Sequence, residues 1–214
     1  RNVLGNHQIA RLSPLSNQVV GNIKAWLDLQ GGDIDDAIVA VDSVGAGATV
    51  GKLGGMDRAM KGGVGTASIT LDNGLTVAAI VAVNAVGDII DPATGSVIAG
   101  ARTADGRGLA DARVLLRIGA SREPQSGANT TLGVVATNAT LTKAEATKVA
   151  QMAQDGLART IYPAHTPGDG DTVFSLAMGT FSGAASVSTI GAVASRVIAP
   201  IYIALTLKYS SEER

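Results

Sequence analysis

Cysteine is absent from the 214 residues, which removes disulfides, thiolate metal sites and a cysteine nucleophile together. Aromatic residues make up only 3%, too few to build stacking platforms for bases or sugars. Neither sign of charge predominates. The 17 Lys and Arg against 18 Asp and Glu leave a formal net charge of -1, which argues against a protein held electrostatically to nucleic acid or to an anionic membrane. The most apolar segment, residues 197–207, is broken by Pro200 and bounded by Arg196. It falls short of the roughly 20 apolar residues that a membrane-spanning helix needs and reads as a buried helix. Residues 1–10 are polar, begin with Arg1 and lack the apolar stretch of a secretory signal. The expected location is therefore the cytoplasm, and the chain is expected to be processed, trimmed or a fragment.

What is abundant is small and apolar. Hydrophobic residues reach 46% and glycine occupies 27 positions, which predicts a folded chain with tight turns and closely packed elements. Residues 1–36 are assigned to no domain, although Val19, Val20, Ile23, Trp26 and Leu27 give 16–29 the spacing of an amphipathic helix. The main domain is expected over 37–214. Residues 37–44 read as a strand running into a glycine-rich stretch at 45–55. Strands at 66–71 and 75–84 flank the turn Asp72-Asn73-Gly74, the second of them apolar enough to be buried on both faces. Asp91 to Gly95 forms another turn, 101–108 a loop, and 117–128 an accessible polar linker. Beyond it lie a strand at 132–138, a helix at 142–160, a strand at 172–178 and an apolar helix at 186–207. Thr142 and Glu145 have capping-box spacing, and Val149, Met152, Ala153 and Leu157 share one face of the first helix. Strands followed by strand–helix–strand–helix predict an α/β or α+β sandwich with a sheet beneath helices.

The most informative junction is Asn129-Thr130-Thr131, which joins the linker to an apolar strand. A Thr hydroxyl has no base of its own. A Thr freed as a chain terminus acquires one, since an α-amine titrates at roughly 7.7–8.0 and activates a Thr nucleophile. Lys52 lies in Gly45-Ala46-Gly47-Ala48-Thr49-Val50-Gly51-Lys52, which follows the strand expected at 37–44. This is no phosphate loop, because Ala46 stands where the first glycine is required and Leu53 where a Ser or Thr must follow the lysine. The dinucleotide fingerprint fails on glycine spacing as well. Read alone, the segment is a glycine turn with a solvated lysine; near a hydrolytic site, the lysine can orient a nucleophile or tune its proton affinity. Asn84 ends an apolar strand, either as a turn cap or as an amide donor to an oxyanion. Asp169 and Asp171 flank Gly170 just before a strand, without the further oxygen ligands of a calcium loop. They are a solvated acidic turn, a pair of helix or strand caps, or the carboxylates that hold a Thr hydroxyl and its ammonium. His165 is a possible base, but no Ser-His-Asp arrangement can be assigned.

Four segments together resemble one family: 44–58 (VGAGATVGKLGGMDR), 75–108 (through AVNAVGDIIDPATG and AGARTADGRG), 129–143 (NTTLGVVATNATLTK) and 153–172 (ending AHTPGDGDT). It is the N-terminal-nucleophile family of L-aminopeptidase/D-esterases, β-peptidyl aminopeptidases and 6-aminohexanoate-oligomer hydrolases. The resemblance implies an αββα four-layer sandwich, made as a precursor that cuts itself before a Ser or Thr. It further implies two subunits that remain together in a homo-oligomer such as a tetramer. The scissile bond would be Asn129–Thr130, giving subunits 1–129 and 130–214. Thr130 would be the nucleophile, preferred over Thr131 because the family cuts directly after Asn. Lys52, Asn84, Asp169 and Asp171 match the supporting catalytic set. No cofactor and no metal are implied, and the expected partners are short peptides or oligoamides, with no nucleic acid and no membrane. The region before the lysine loop is shorter than the family's, so the N-terminal part of the sandwich is expected to be incomplete. The implied activity is amide hydrolysis on short peptides, with an endohydrolase of 6-aminohexanoate oligomers as the alternative. From outside amide hydrolysis, the alternatives are a catalytically silent structural or interaction protein and an acyltransferase.

Overall fold

A computed structural model of the chain describes residues 47–122 and 129–210, without the side chains of 200 and 202–210. The helix expected at 16–29, the strand expected at 37–44 and the 123–128 part of the linker lie outside the described residues.

The centre of the fold is a four-stranded sheet in the order β3-β4-β7-β9. β3 (Gly63–Thr70) and β4 (Thr76–Val83) form a hairpin with Gly63 opposite Val83 and Thr70 opposite Thr76. Their turn closes through Leu71 N–H donating to Leu75 O and Gly74 N–H to Leu71 O, both at 2.8 Å. Gly74 has φ 85, a left-handed conformation that glycine adopts without the cost of a Cβ. β7 (Leu132–Thr137) pairs antiparallel with β4, and β9 (Thr172–Ala177) pairs parallel with β7. A parallel pair needs a crossover, and α2 (Lys143–Thr160) supplies it. Thr142 and Glu145 make the expected capping box: Glu145 N–H donates to Thr142 Oγ1 at 3.3 Å, and Thr142 N–H to Glu145 Oε2 at 2.8 Å.

Alternation along the strands decides which face is covered. Val77, Ala79, Val81 and Val83 of β4, with Val135 and Val173, join Val149, Ala153 and Leu157 of α2 in one core. Ile190, Ala194, Val197, Ile198 and Ile201 of α3 (Val187–Ser210) complete that core. Met152, expected on the same face of α2, is half-buried. The other face of the sheet is different. β4 is not buried on both faces as expected, because Ile80 and Ala82 are only half-buried. On the same side Leu132, Phe174 and Leu176 are 44%, 56% and 51% exposed. Of the four layers implied by the family resemblance, the described residues thus build one helical layer on one sheet.

Shorter elements surround this sandwich. β1 (Thr49–Val50) pairs with β2 (Met60–Lys61), and the chain between them makes two 3₁₀ turns, Lys52–Gly54 and Met56–Arg58. A second sheet has the order β6-β5-β8, from Val97–Ala99, Asp88–Ile90 and Ile161–Tyr162. The expected linker begins at the last residue of a short helix: α1 (Ala112–Arg117) ends at Arg117 and is capped by Asp111, whose side chain accepts from Arg113 N–H. Among the described residues no helix is long and apolar enough to cross a membrane.

Candidate active site

The segment following β4 is the hub of the site. Its backbone receives the lysine loop: Gly51 N–H donates to Gly87 O at 2.9 Å and Lys52 N–H to Val86 O at 2.8 Å. Gly51 takes φ 74, and a Cβ there would meet the Gly100 and Ala101 backbone at 2.1 Å, so neither conformation nor space admits another residue. Asp88, fully buried, holds the next layer by accepting from Ala101 N–H at 2.9 Å and Ala112 N–H at 2.6 Å. Burial raises its pKa, and those two backbone donors oppose the rise. Nothing in its sequence context marks Asp88 as a structural staple.

Lys52 is 4% exposed, not the solvated lysine of the bland reading. Its Nζ donates to Asn84 Oδ1 at 2.6 Å and lies 3.4 Å from Asn84 O. Burial lowers its pKa from 10.5 to about 8, while the charges of Asp169 and Asp171 pull it upward. Asn84 Oδ1 also accepts from Thr49 N–H at 3.1 Å. With the carboxamide oxygen held by two donors, the amide's NH₂ is its only donating end.

Thr130 lies just ahead of β7. Its N–H donates to Asn84 O at 3.1 Å, and its hydroxyl donates to Asn129 O at 2.7 Å. That same carbonyl accepts from Gly170 N–H at 2.8 Å. The Asn129–Thr130 peptide is therefore clamped at both polar ends, its N–H on the β4 side and its C=O on the β9 side. Asn129 itself is 2% exposed and bridges Asp169 in parallel register. Thr131 has the opposite character: it is fully buried, and its hydroxyl has no hydrogen-bond partner. Of these two threonines, Thr130 is the one with its hydroxyl against the preceding carbonyl.

Both aspartates are anchored. Asp169 accepts from Val86 N–H at 3.1 Å through Oδ1, and from Thr166 Oγ1 at 2.7 Å through Oδ2. Asp171 accepts from Thr131 N–H at 2.9 Å through Oδ1. Its other oxygen lies 3.1 Å from His165 Nδ1. Lys52, Asn84, Thr130, Asp169 and Asp171 are thus brought into one cluster. His165 joins it as a partner of Asp171 and makes no hydrogen bond with Thr130. The contributions of Gly170 N–H, Val86 N–H and Thr166 were not legible in the sequence. Two of these three are backbone groups, and no side-chain pattern announces a backbone donor. Among the described residues no group of His, Cys, Asp and Glu is arranged to hold a metal ion.

Chemically, the arrangement sets a hydroxyl against a polarised carbonyl, in a cluster with a lysine whose pKa burial lowers to about 8. These are the parts of an acyl-transfer site.

The chain is 51% identical over 158 residues to the uncharacterized aminopeptidase ML1167 of Mycobacterium leprae, covering 71% of this chain and 41% of that protein. It is 48% identical over 149 residues to the uncharacterized aminopeptidase Rv1333 of Mycobacterium tuberculosis, covering 66% of this chain and 41% of that one. The chain therefore spans about two fifths of the length of the curated relatives it matches. Among solved structures it is similar to a Burkholderia sp. beta-aminopeptidase, with TM-score 0.48 and 22% identity, covering 74% of this chain and 43% of that one. An L-aminopeptidase D-Ala-esterase/amidase from Ochrobactrum anthropi gives TM-score 0.45 and 17% identity, covering 67% and 39%. The model of peptidase family S58 matches residues 10–206, nearly the whole chain, and the chain belongs to that family.

Proposed function

We propose that the chain carries the machinery of a self-processing amidohydrolase of the aminopeptidase type, with Thr130 as its nucleophile. The observation that carries this reading is the 2.7 Å hydrogen bond from Thr130 Oγ1 to the carbonyl of Asn129. In the precursor the hydroxyl attacks that carbonyl carbon. The Oγ–C bond forms, the C–N bond breaks, and the hydroxyl proton ends on the departing nitrogen, which becomes the Thr130 α-amine. Water then hydrolyses the ester to an Asn129 carboxylate and a free Thr130 hydroxyl. Lys52, with its pKa lowered to about 8, is a group of the cluster that can take up the hydroxyl proton as the pH approaches 8.

In the mature form the same hydroxyl attacks a substrate amide, and the new α-amine, at roughly 7.7–8.0, takes its proton. Asn84, whose backbone oxygen accepts from Thr130 N–H in the intact chain, is the residue assigned to hold that amine and, through its side-chain amide, to bind the oxyanion. The relatives named as aminopeptidases support short peptides as the substrate class.

Denaturing mass spectrometry of the purified chain tests the reading. Fragments ending at Asn129 and starting at Thr130 are expected from the wild type and from Thr131→Val, and an intact, inactive chain from Thr130→Ala. A wild-type chain that stays whole would count for the silent, structural alternative. Cleavage that persists in Thr130→Ala and stops in Thr131→Val would move the nucleophile to Thr131.

A further inference from the structure

β7 and β9 run parallel with Leu132 opposite Thr172, and the ladder continues past the ends of both strands. Thr172 N–H donates to Thr131 O at 3.0 Å, and Gly170 N–H donates to Asn129 O at 2.8 Å. The rung between them is replaced. Thr131 N–H goes to the Asp171 carboxylate at 2.9 Å, while Gly170 O accepts from Thr172 Oγ1 at 3.0 Å. At this point the β9 side presents a backbone donor to the chain beside Thr130 and directs its own acceptor elsewhere.

From this placement we infer that the Gly170 N–H is an oxyanion donor for acyl transfer at Thr130. The inference rests on the reading of Thr130 as nucleophile. As the hydroxyl swings from donating to the Asn129 oxygen to attacking the carbon beneath it, negative charge grows on that oxygen. The Gly170 N–H stays on it, at a distance within the 2.7–3.1 Å range that such donors require. When the C–N bond breaks, the carbonyl re-forms as the Thr130 ester; water then adds, the oxygen again carries the charge, and the Oγ–C bond breaks. In each later cycle the acyl oxygen of a substrate occupies the place of the Asn129 oxygen and meets the same donor. Gly170 is thereby a catalytic group in maturation and in turnover.

The residue type follows from space. The φ of Gly170 is not in the left-handed region, so conformation does not demand glycine here. A Cβ, however, would stand 2.7 Å from Thr130 Oγ1, in the volume that the nucleophile needs. Glycine is the residue that brings a backbone N–H to the carbonyl and leaves the hydroxyl room to reach it.

Cell-free synthesis of the full chain with glycolic acid at position 170 replaces this one N–H by an oxygen and adds no side chain. Self-cleavage is expected to slow by about 10²–10³-fold, the usual effect of losing one oxyanion donor. A wild type that cleaves, with an ester chain that cleaves equally fast, overturns the role of Gly170 alone. A wild type that never cleaves overturns the reading of Thr130, and this role falls with it. If the ester chain does not fold, the intact Thr130→Ala chain gives the second measurement. A through-hydrogen-bond coupling between the Gly170 nitrogen and the Asn129 carbonyl carbon is expected there, and its absence overturns the inference.

Discussion

Lys52 shows how burial changes the proton affinity of an ordinary side chain. Taking its ammonium out of water costs more than Asp169 and Asp171 return, so its proton leaves at about pH 8. Self-cleavage precedes the appearance of the α-amine, so its rate isolates Lys52. That rate is expected to rise with pH through about 8, and Lys52→Met should abolish the rise. A pH-independent rate in the wild type would remove Lys52 as the base. The same shift carries a stability effect of definite sign. The folded value lies below the ordinary 10.5, so between the two the unfolded chain holds the extra proton and stability rises with pH. Lys52→Met should therefore gain stability over the wild type below pH 8, and the advantage should shrink between about 8 and 10.5. Urea unfolding of both chains across that range measures it.

The elements around the site owe their precision to glycine contacts that a hydrophobic pattern does not reveal. α2 and α3 cross so closely that a Cβ on Gly156 would stand 2.6 Å from Ser195 O and 2.8 Å from Ile198 Cβ. Replacing glycine by alanine in a helix interior normally gains up to about 1 kcal/mol. Overpacking a closed contact costs about 1–3 kcal/mol, and here it outweighs the gain because the first atom met is backbone. Gly156→Ala is expected to lower the urea midpoint; a raised midpoint would mean that the helices part at little cost. The long elements themselves were legible, since β4, β7, α2, β9 and α3 follow their expected ranges to within a few residues. The three strands of the small sheet were not. Two or three residues carry no period, and their pairing is settled by partners far away in sequence. α1 was missed for a similar reason, as its six residues are too few to display a helical face.

Taken whole, the described residues form a sheet with one face sealed by helices and the other bearing Leu132, Phe174 and Leu176. The chain also spans about two fifths of its curated relatives. Apolar area of this kind is costly in water and promotes association. The 214-residue chain is therefore expected to bind an apolar dye such as ANS and to self-associate. A double substitution, Phe174→Thr and Leu176→Thr, puts polar, β-branched residues that suit a strand at both positions and should diminish both signals. Stability should change by only about 0.5 kcal/mol per site, as for surface positions. A large loss of stability in that double variant would show that the face is covered within the chain itself.

That Lys52, Asn84, Thr130, Asp169 and Asp171 belong together was suggested by the sequence, because they stand in segments with a family character. Their roles as neighbours were not legible, because hydrogen bonds across 32 to 83 positions of sequence leave no local mark. The sequence alone carries the periodicities, caps and turns, all of which arise from residues a few positions apart. The fold supplies the rest: it buries Lys52, separates Thr130 from Thr131, and brings the Gly170 N–H to the Asn129 carbonyl. Those outcomes depend on which strand ends meet, and that is decided by packing between distant parts of the chain.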